Sequence, residues 1–348
     1  MLASIPLAIS GLKKVNIYDS CYILVAIFSC LIFLAMLSEG VNFRGPLQYV
    51  GFLMLYFAFK NIYNRAPDLI VHFIKLLVMS YFIAALLQVL FGGDVLSNFL
   101  SVRTTDNRGF TSLTPEPALY GLMLLCAGVI IYVSDIHNKF KLYLLILFQI
   151  IFFSQSALAI LLSLITLMLW LLLNRLRTFL IVMSIFTISI ISFVGLLSQK
   201  SRIGYLINKV VDSPLSILSV DASINERVSH IVLPIYGAIN NFFFPSGFSS
   251  FSEVLMHKGN ILGGLFWWGS PTNVIMSGFS AAIFELGIMG LVFIAASICL
   301  IWSFSFRGNK DKIFLSACIM LVMFQAIPIT NPLFPWLLCA SRFKKFGY

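Results

Sequence analysis

The residues best suited to chemistry lie in a short polar segment that precedes an apolar run. The segment reads Gly109-Phe-Thr-Ser-Leu-Thr-Pro-Glu-Pro-Ala118, and Arg103 and Arg108 lie just before it. A guanidinium binds phosphate oxygens through paired hydrogen bonds and keeps its charge, whereas a carboxylate can accept or release a proton. The segment therefore combines an anion clamp with a candidate acid or base, Glu116.

A second candidate group lies much later in the chain. Ser223-Ile-Asn-Glu226 fits the Ser-x-x-Glu capping box, so the sequence predicts a helix that begins near Ile224 and that Pro234 kinks or ends. Such a helix would place Arg227 and His230 on one face. Both groups thus offer arginine beside a residue that can transfer a proton.

Each candidate also has an ordinary structural explanation. Thr114 fits a helix N-cap, Pro115 the first helical position and Glu116 the first turn. A glutamate there can simply stabilise the helix through its dipole, although nearby hydrocarbon opposes its ionisation. The arginines, and His230 with them, can be ordinary solvated residues of loops and helix faces.

Composition places these groups in a membrane protein. The 348 residues are 60% hydrophobic and 10% charged, with a mean hydropathy of +0.99, which excludes an ordinary soluble domain. A spanning helix needs about 20 apolar residues. The sequence therefore predicts an all-α, polytopic membrane protein with one transmembrane domain over 1–348 and about ten spans. The predicted spans are 19–37, 48–63, 69–92, 116–134, 142–154, 157–173, 178–198, 274–304, 313–328 and 331–341.

The net charge of +10 indicates topology and not nucleic-acid binding, because basic residues concentrate in alternate short connections. With ten spans, six such connections fall on one side, which puts both termini in the cytoplasm. The opposite face then carries the segment 93–115 and one large loop, 199–273, where function is expected. The six connections hold 14 of the 23 basic residues, namely Lys13, Lys14, Lys60, Arg65, Lys139, Lys141, Arg175, Arg177, Arg307, Lys310, Lys312, Arg342, Lys344 and Lys345.

The sequence predicts neither a metal site nor a disulfide framework. The six cysteines lie in or at the edge of apolar runs and have no Cys-x-x-Cys spacing. The four histidines form no known zinc motif, and no cofactor is expected. Glu285 lies within the eighth predicted span, where a carboxyl is either mechanistic or a hydrogen-bonded structural group.

The chain resembles the O-antigen polymerase and ligase superfamily of bacterial envelope glycan assembly. Arg108-Gly-Phe-Thr-Ser-Leu-Thr-Pro-Glu-Pro-Ala118 is similar to that family's Gly-Phe-x-x-Glu-Pro-Ser element before a mid-chain span. Asn225-Glu-Arg227 followed by Pro245-Ser-Gly247 is similar to the arginine and glycine pattern of its large outer loop. That loop also lies between the seventh and eighth spans, as in the family.

The resemblance implies a glycosyltransferase with a C-type membrane fold in the bacterial inner membrane. Its substrate would be undecaprenyl diphosphate-linked oligosaccharide, polymerised at the periplasmic face without metal. Arg227, with Arg103 or Arg108, would bind the diphosphate and stabilise its charge as it leaves. Glu116 or His230 would activate the acceptor hydroxyl. The partners expected are this lipid-linked substrate and membrane lipids, and the sequence leaves open whether a chain-length regulator takes part.

Three other functions compete with polymerisation. A ligase of the same architecture would transfer the glycan to a lipid A core. A transporter or flippase of lipid-linked oligosaccharide would show charged residues or broken helices near the bilayer midplane and two related halves. A structural membrane protein would tolerate loss of every candidate arginine.

Overall fold

The computed structural model describes residues 15–36, 43–96, 109–134, 139–194, 218–219, 221–304, 308–325 and 329–340, and these residues contain no β-strand. This confirms the all-α class. The described helices are α1 Ile17–Ala35, α2 Arg44–Arg65, α3 Pro67–Phe91, α4 Pro117–Val133, α5 Lys139–Phe148, α6 Ala157–Asn174, α7 Leu176–Val194, α8 Ala222–Asn240, α9 Phe251–Met256, α10 Gly278–Leu286, α11 Ile288–Phe304, α12 Asn309–Phe324 and α13 Leu333–Ala340.

Three of these helices are long and apolar enough to cross a membrane: α1, residues Asp68–Phe91 of α3, and α6. Shorter apolar helices lie at Pro117–Val133, Leu176–Ile185 and Ile288–Ser303. The described helices are therefore those of a membrane protein. The count of ten spans, the identity of the membrane and the position of the termini stay predictions.

The outer surface of α1 fits a lipid environment. Leu24, Ile27, Leu31 and Leu34 are each more than half exposed, whereas Tyr22 on the opposite side is buried. A soluble protein rarely leaves such a continuous apolar surface in water. Lipid tails cover it at no cost, so the helix needs a partner only on its inner face.

Aromatic side chains hold the inner faces of four helices together. The Tyr22 ring of α1 lies 5.3 Å from Phe52 of α2 and 5.6 Å from Phe293 of α11. Phe52 also lies 4.9 Å from Phe293 and 5.4 Å from Phe334 of α13. Most of these rings meet edge to face or tilted, the geometries that aromatic pairs prefer. Close packing of this kind is what associates helices in lipid, where no hydrophobic force operates between them.

A buried ion pair joins α1 to α2. Lys60 Nζ contacts the Asp19 carboxylate, and Tyr56 Oη donates to Asp19 Oδ1 at 2.8 Å. Asp19 is fully buried and Lys60 is 2% exposed. Asp19 also completes a capping box with Asn16 at the start of α1. The sequence counts Lys60 among the basic connections, but α2 extends past it to Arg65, and Lys60 contacts the buried Asp19.

The eighth predicted span, 274–304, is two helices and not one. α10 ends at Leu286 and α11 begins at Ile288, with Gly287 between them at φ 58°. A Cβ atom on Gly287 would lie 2.1 Å from the Phe243 carbonyl oxygen. Glycine is needed here because both the left-handed backbone and this close approach exclude a side chain.

Removing one partner of the Asp19–Lys60 pair should destabilise the protein strongly. Lys60→Met leaves a buried carboxylate without its counter-ion, at an expected cost of about 3–5 kcal/mol. Adding Asp19→Asn removes the stranded charge and keeps one acceptor oxygen, which can serve either Tyr56 or the Asn16 amide, so the double variant should recover part of the loss. Equilibrium unfolding in mixed micelles measures both.

Arg65→Met is the control for that series, since Arg65 is exposed at the end of the same helix. It should leave the unfolding free energy within about 1 kcal/mol of the parent, as for a surface charge. A similarly small effect of Lys60→Met would contradict the role assigned to the pair.

Candidate functional site

The segment that carries Glu116 is held against the connection between α5 and α6. The Phe110 amide donates to the Phe153 carbonyl at 2.7 Å. Gly109 lies so close to this connection that a Cβ atom would be 2.0 Å from the Ser154 carbonyl oxygen. Any side chain at Gly109 would therefore push the segment away from α5 and α6.

Gln88 of α3 anchors the same segment from the other side. Its Oε1 accepts from the Ser112 amide at 2.7 Å, and its Nε2 donates to Thr111 Oγ1 at 3.0 Å. Ser112 Oγ donates to the Tyr81 carbonyl at 2.7 Å. Ser112 has φ 52°, a backbone that costs energy for a non-glycine residue. These contacts hold it there.

A polar contact layer beneath the segment joins α4 to the π-helical turn Gln149–Ser154. Tyr120 Oη donates to Gln149 Oε1 at 2.7 Å, and Ser154 Oγ donates to the Pro117 carbonyl at 2.8 Å. The segment before α4 is therefore fixed by α3, α4 and the turn between α5 and α6. Glu116 lies at the end of a rigid element and not of a free loop.

The helix start differs from the predicted one, and the difference frees Glu116. α4 begins at Pro117, and Glu116 is the N-cap residue with extended backbone angles and no side-chain cap bond. Thr114 does not cap the helix, because its Oγ1 donates to the Thr111 and Glu116 carbonyls, both at 2.8 Å. Within the described residues the half-buried Glu116 carboxylate has no hydrogen bond or ion pair.

Arg227 lies in the first turns of α8, whose start was also predicted wrongly. Asp221 caps the helix, accepting from the Ile224 amide at 3.0 Å, so the predicted Ser223 capping box does not form. Pro234 lies inside the helix, which continues to Asn240. Arg227 is half-buried, and its guanidinium has no hydrogen bond or ion pair with the residues that the structure describes.

Asn225 has no separate role in the sequence-based prediction, yet it fixes the end of α8 that carries Arg227. It is fully buried, and its Nδ2 donates to the Leu218 and Leu265 carbonyls, both at 2.8 Å. Its Oδ1 accepts from the Trp267 and Trp268 amides at 3.2 and 3.1 Å. The Asn225 amide thus joins the start of α8 to Leu218 and to the stretch 265–268.

His230 is held as a neutral, buried group. It is 1% exposed and packs on Phe251 at 5.2 Å. Burial, with the nearby Lys258 charge, lowers the pKa of His230 to about 4. The Met276 amide donates to Nδ1 at 3.3 Å, which places the proton of the neutral ring on Nε2. Since a general base needs a free lone pair, this arrangement favours Glu116 over His230 as proton acceptor.

The candidate residues lie on separately packed helices. α4, which follows Glu116, packs mainly on α3, α5, α6 and α13, whereas α8 packs mainly on α9 and α10. Arg103 and Arg108 lie outside the described residues. A cavity shared by Glu116 and Arg227 therefore stays a prediction. Among the described residues, no three His, Cys, Asp or Glu side chains form a group able to hold a metal ion.

Glu285 fits the structural alternative given for it from the sequence. The carboxyl is 3% exposed, and Tyr49 Oη donates to its Oε2 at 2.7 Å. The contact joins α10 to α2 just before the break at Gly287.

Loss of the Gln88 amide should loosen the segment that carries Glu116. Gln88→Leu leaves the buried Ser112 amide and Thr111 hydroxyl without their partner, at a cost of about 1–3 kcal/mol. Amide hydrogen exchange over 109–117 should then accelerate by about 5- to 100-fold. Gln48→Leu, at a half-buried position of α2, is the matched control, and equal exchange in both variants would contradict the anchoring role.

Acid should destabilise the folded protein through His230. Its folded pKa of about 4 lies below the ordinary 6.5, so the unfolded chain binds more protons between these values, and this stability is lost as pH falls from 6.5 towards 4. Between about pH 7 and pH 5 the loss is roughly 2 kcal/mol. His230→Gln keeps an acceptor for Met276 and should lose this acid sensitivity, whereas the exposed His257→Gln should retain it. Unfolding at the two pH values measures the difference.

Comparison of the sequence with known protein families and curated proteins finds no match. No model of a known protein family matches this chain, and a search of the curated proteins finds no significant match. The residues above, with the motif resemblance at 108–118 and 225–247, therefore carry the functional proposal.

Proposed function

We propose that this protein polymerises undecaprenyl diphosphate-linked oligosaccharide repeat units at the periplasmic face of a bacterial inner membrane, by metal-independent glycosyl transfer. The observation that carries the proposal is the state of Glu116. Its segment is anchored on three sides, yet its carboxylate neither caps α4 nor pairs with any described residue. A carboxylate held rigidly but left free is what a general base requires.

Arg227 supplies the positive charge that a leaving diphosphate needs. Its guanidinium is half-buried and free of described partners, while Asn225 two residues earlier fixes the backbone that carries it. A partly desolvated guanidinium binds phosphate oxygens more strongly than one in water. Arg103 and Arg108 would add further contacts to the same anion.

The reaction needs no group beyond these. The acceptor sugar hydroxyl attacks the anomeric carbon of the lipid-linked chain, and its proton passes to the Glu116 carboxylate. The bond between that carbon and the diphosphate oxygen breaks, and the electron pair leaves on the diphosphate. Arg227 stabilises the charge that develops there.

Charge removal at either residue should stop polymer growth while the protein still inserts. Glu116→Gln should lower the polymerisation rate by about 10²- to 10⁴-fold, and Arg227→Ala by about 10²- to 10³-fold. Arg227→Lys keeps the charge but loses paired hydrogen bonds, so an intermediate rate is expected. The length distribution of glycan made from lipid-linked repeats by purified protein in vesicles measures all three.

Glu253→Gln and Arg177→Lys are the controls, because both side chains are exposed and neither belongs to the proposed site. They should leave the glycan lengths unchanged. Long polymer from both Arg227 variants, or from Glu116→Gln, would refute the assigned roles.

A transporter of the same lipid-linked oligosaccharide is the second candidate. The break between α10 and α11 favours it, since discontinuous helices mark transport sites. The vesicle experiment separates the two functions. A transporter would move repeat units between leaflets without lengthening them, whereas a polymerase lengthens units supplied on one leaflet only.

A further inference from the structure

The end of α8 forms an exposed aromatic projection. Ile239, Phe242 and Phe244, together called the aromatic tip, are 54%, 85% and 68% exposed. The tip belongs to a stretch, 231–252, that contains no charged residue, between His230 and Glu253. The helical part of this stretch, 231–240, is too short to cross a bilayer by itself, because a spanning helix needs about 20 apolar residues.

Neighbouring contacts place the tip at the membrane face where α1 ends and α2 begins. A Cβ atom on Gly247 would lie 2.1 Å from Met36 Sδ, just after α1, and one on Gly45 of α2 would lie 2.2 Å from Phe248. The Phe248 ring is also 6.4 Å from Tyr49. The turn after α8 therefore lies against the ends of two helices of the membrane domain.

The surface of α1 and α2 at this level is apolar and exposed, as lipid-facing surfaces are. Leu34 is 59% exposed, Phe43 is 65% and Leu47 is 53%. The turn that carries the tip contacts this end of α1 and α2 through Gly247 and Phe248, and it adds no charge there. A bilayer that covers the exposed side of α1 and α2 would therefore reach the tip as well.

Several backbone groups of the turn are paired within the protein, which favours burial in hydrocarbon, where each unpaired polar group costs several kcal/mol. The Phe243 amide donates to the Ala238 carbonyl at 2.8 Å, and the Phe243 carbonyl accepts from Ile288 at 3.0 Å. The Ser246 amide donates to the Phe284 carbonyl at 3.0 Å. The break between α10 and α11 thus supplies partners to the turn.

The backbone of the turn is strained at two phenylalanines, of which Phe243 packs against the core and Phe242 is exposed. Phe242 and Phe243 have φ values of 50° and 57°, a left-handed backbone that costs roughly 1–2 kcal/mol for each residue with a side chain. Glycine would adopt it freely. An exposed phenylalanine in water gains nothing to offset this cost, whereas one in lipid gains the transfer free energy of its ring.

We propose that α8 and the turn after it form a re-entrant element, and that the aromatic tip inserts among the acyl chains of the leaflet at this face. The large segment between the seventh and eighth predicted spans is then docked into the membrane and does not lie wholly outside it. This proposal does not depend on glycosyl transfer, since it requires only that α1 and α2 face lipid.

Photocrosslinking tests the insertion without disturbing the fold. Benzoylphenylalanine, placed at Phe242 or Phe244 in the full chain in phospholipid vesicles, should form lipid adducts on irradiation, detected by mass spectrometry. Phe43 is the positive control on the same surface. Met256 is the negative control, because it is equally apolar and 65% exposed but lies beside Glu253, His257 and Lys258.

The expected adduct yield at Phe242 and Phe244 is close to that at Phe43 and at least about five-fold above that at Met256. A yield at both positions no higher than at Met256 overturns the proposal. A covalent dimer at Phe242 in place of lipid adducts also overturns it, since the tip would then bind a second copy of the chain.

Discussion

Backbone hydrogen bonding in a low-dielectric surrounding is the constraint on which this structure depends. A helix satisfies its own backbone, but an irregular segment at membrane depth needs partners from its neighbours. The segment before α4 obtains them from Gln88 and Phe153, and the turn after α8 obtains them at the break between α10 and α11. Both segments are therefore tied to helices distant in sequence.

This constraint explains which parts of the fold the sequence predicts. The runs 116–134 and 157–173 nearly coincide with α4 and α6, because a long apolar helix needs only local information. The break at Gly287 lies inside an unbroken apolar run, and it depends on the approach of the Phe243 carbonyl. Hydropathy contains no trace of such a contact. The misplaced start of α4 is a local ambiguity, since Pro115 and Pro117 fit the first helical position equally well.

The residues of the candidate site also fall into two groups, those that the sequence identifies and those that only the structure identifies. Glu116 and Arg227 stand out by residue type in an apolar chain, so the sequence finds them. Gln88 and Asn225 position the segments around them through partners far along the chain, such as Ser112 and Trp267. Gln88 does leave a signal, as a lone amide within the apolar run of α3, but its partner cannot be read from that run.

α8 connects Arg227, near one end of the helix, to the aromatic tip at the other end. Asn225 fixes one end of the helix, and hydrogen bonds between the turn after α8 and the residues around the break at Gly287 fix the other. At about 1.5 Å per residue, Arg227 lies about 18 Å from Ile239 along the helix axis. With the tip a few ångströms inside the hydrocarbon and a headgroup layer roughly 5–8 Å thick, an upright α8 would hold Arg227 beyond that layer. A tilted α8 would bring Arg227 to the headgroups, where the diphosphate of the proposed substrate would lie. The length and tilt of a helix held at both ends, and not a flexible loop, would then set where the guanidinium meets its anion.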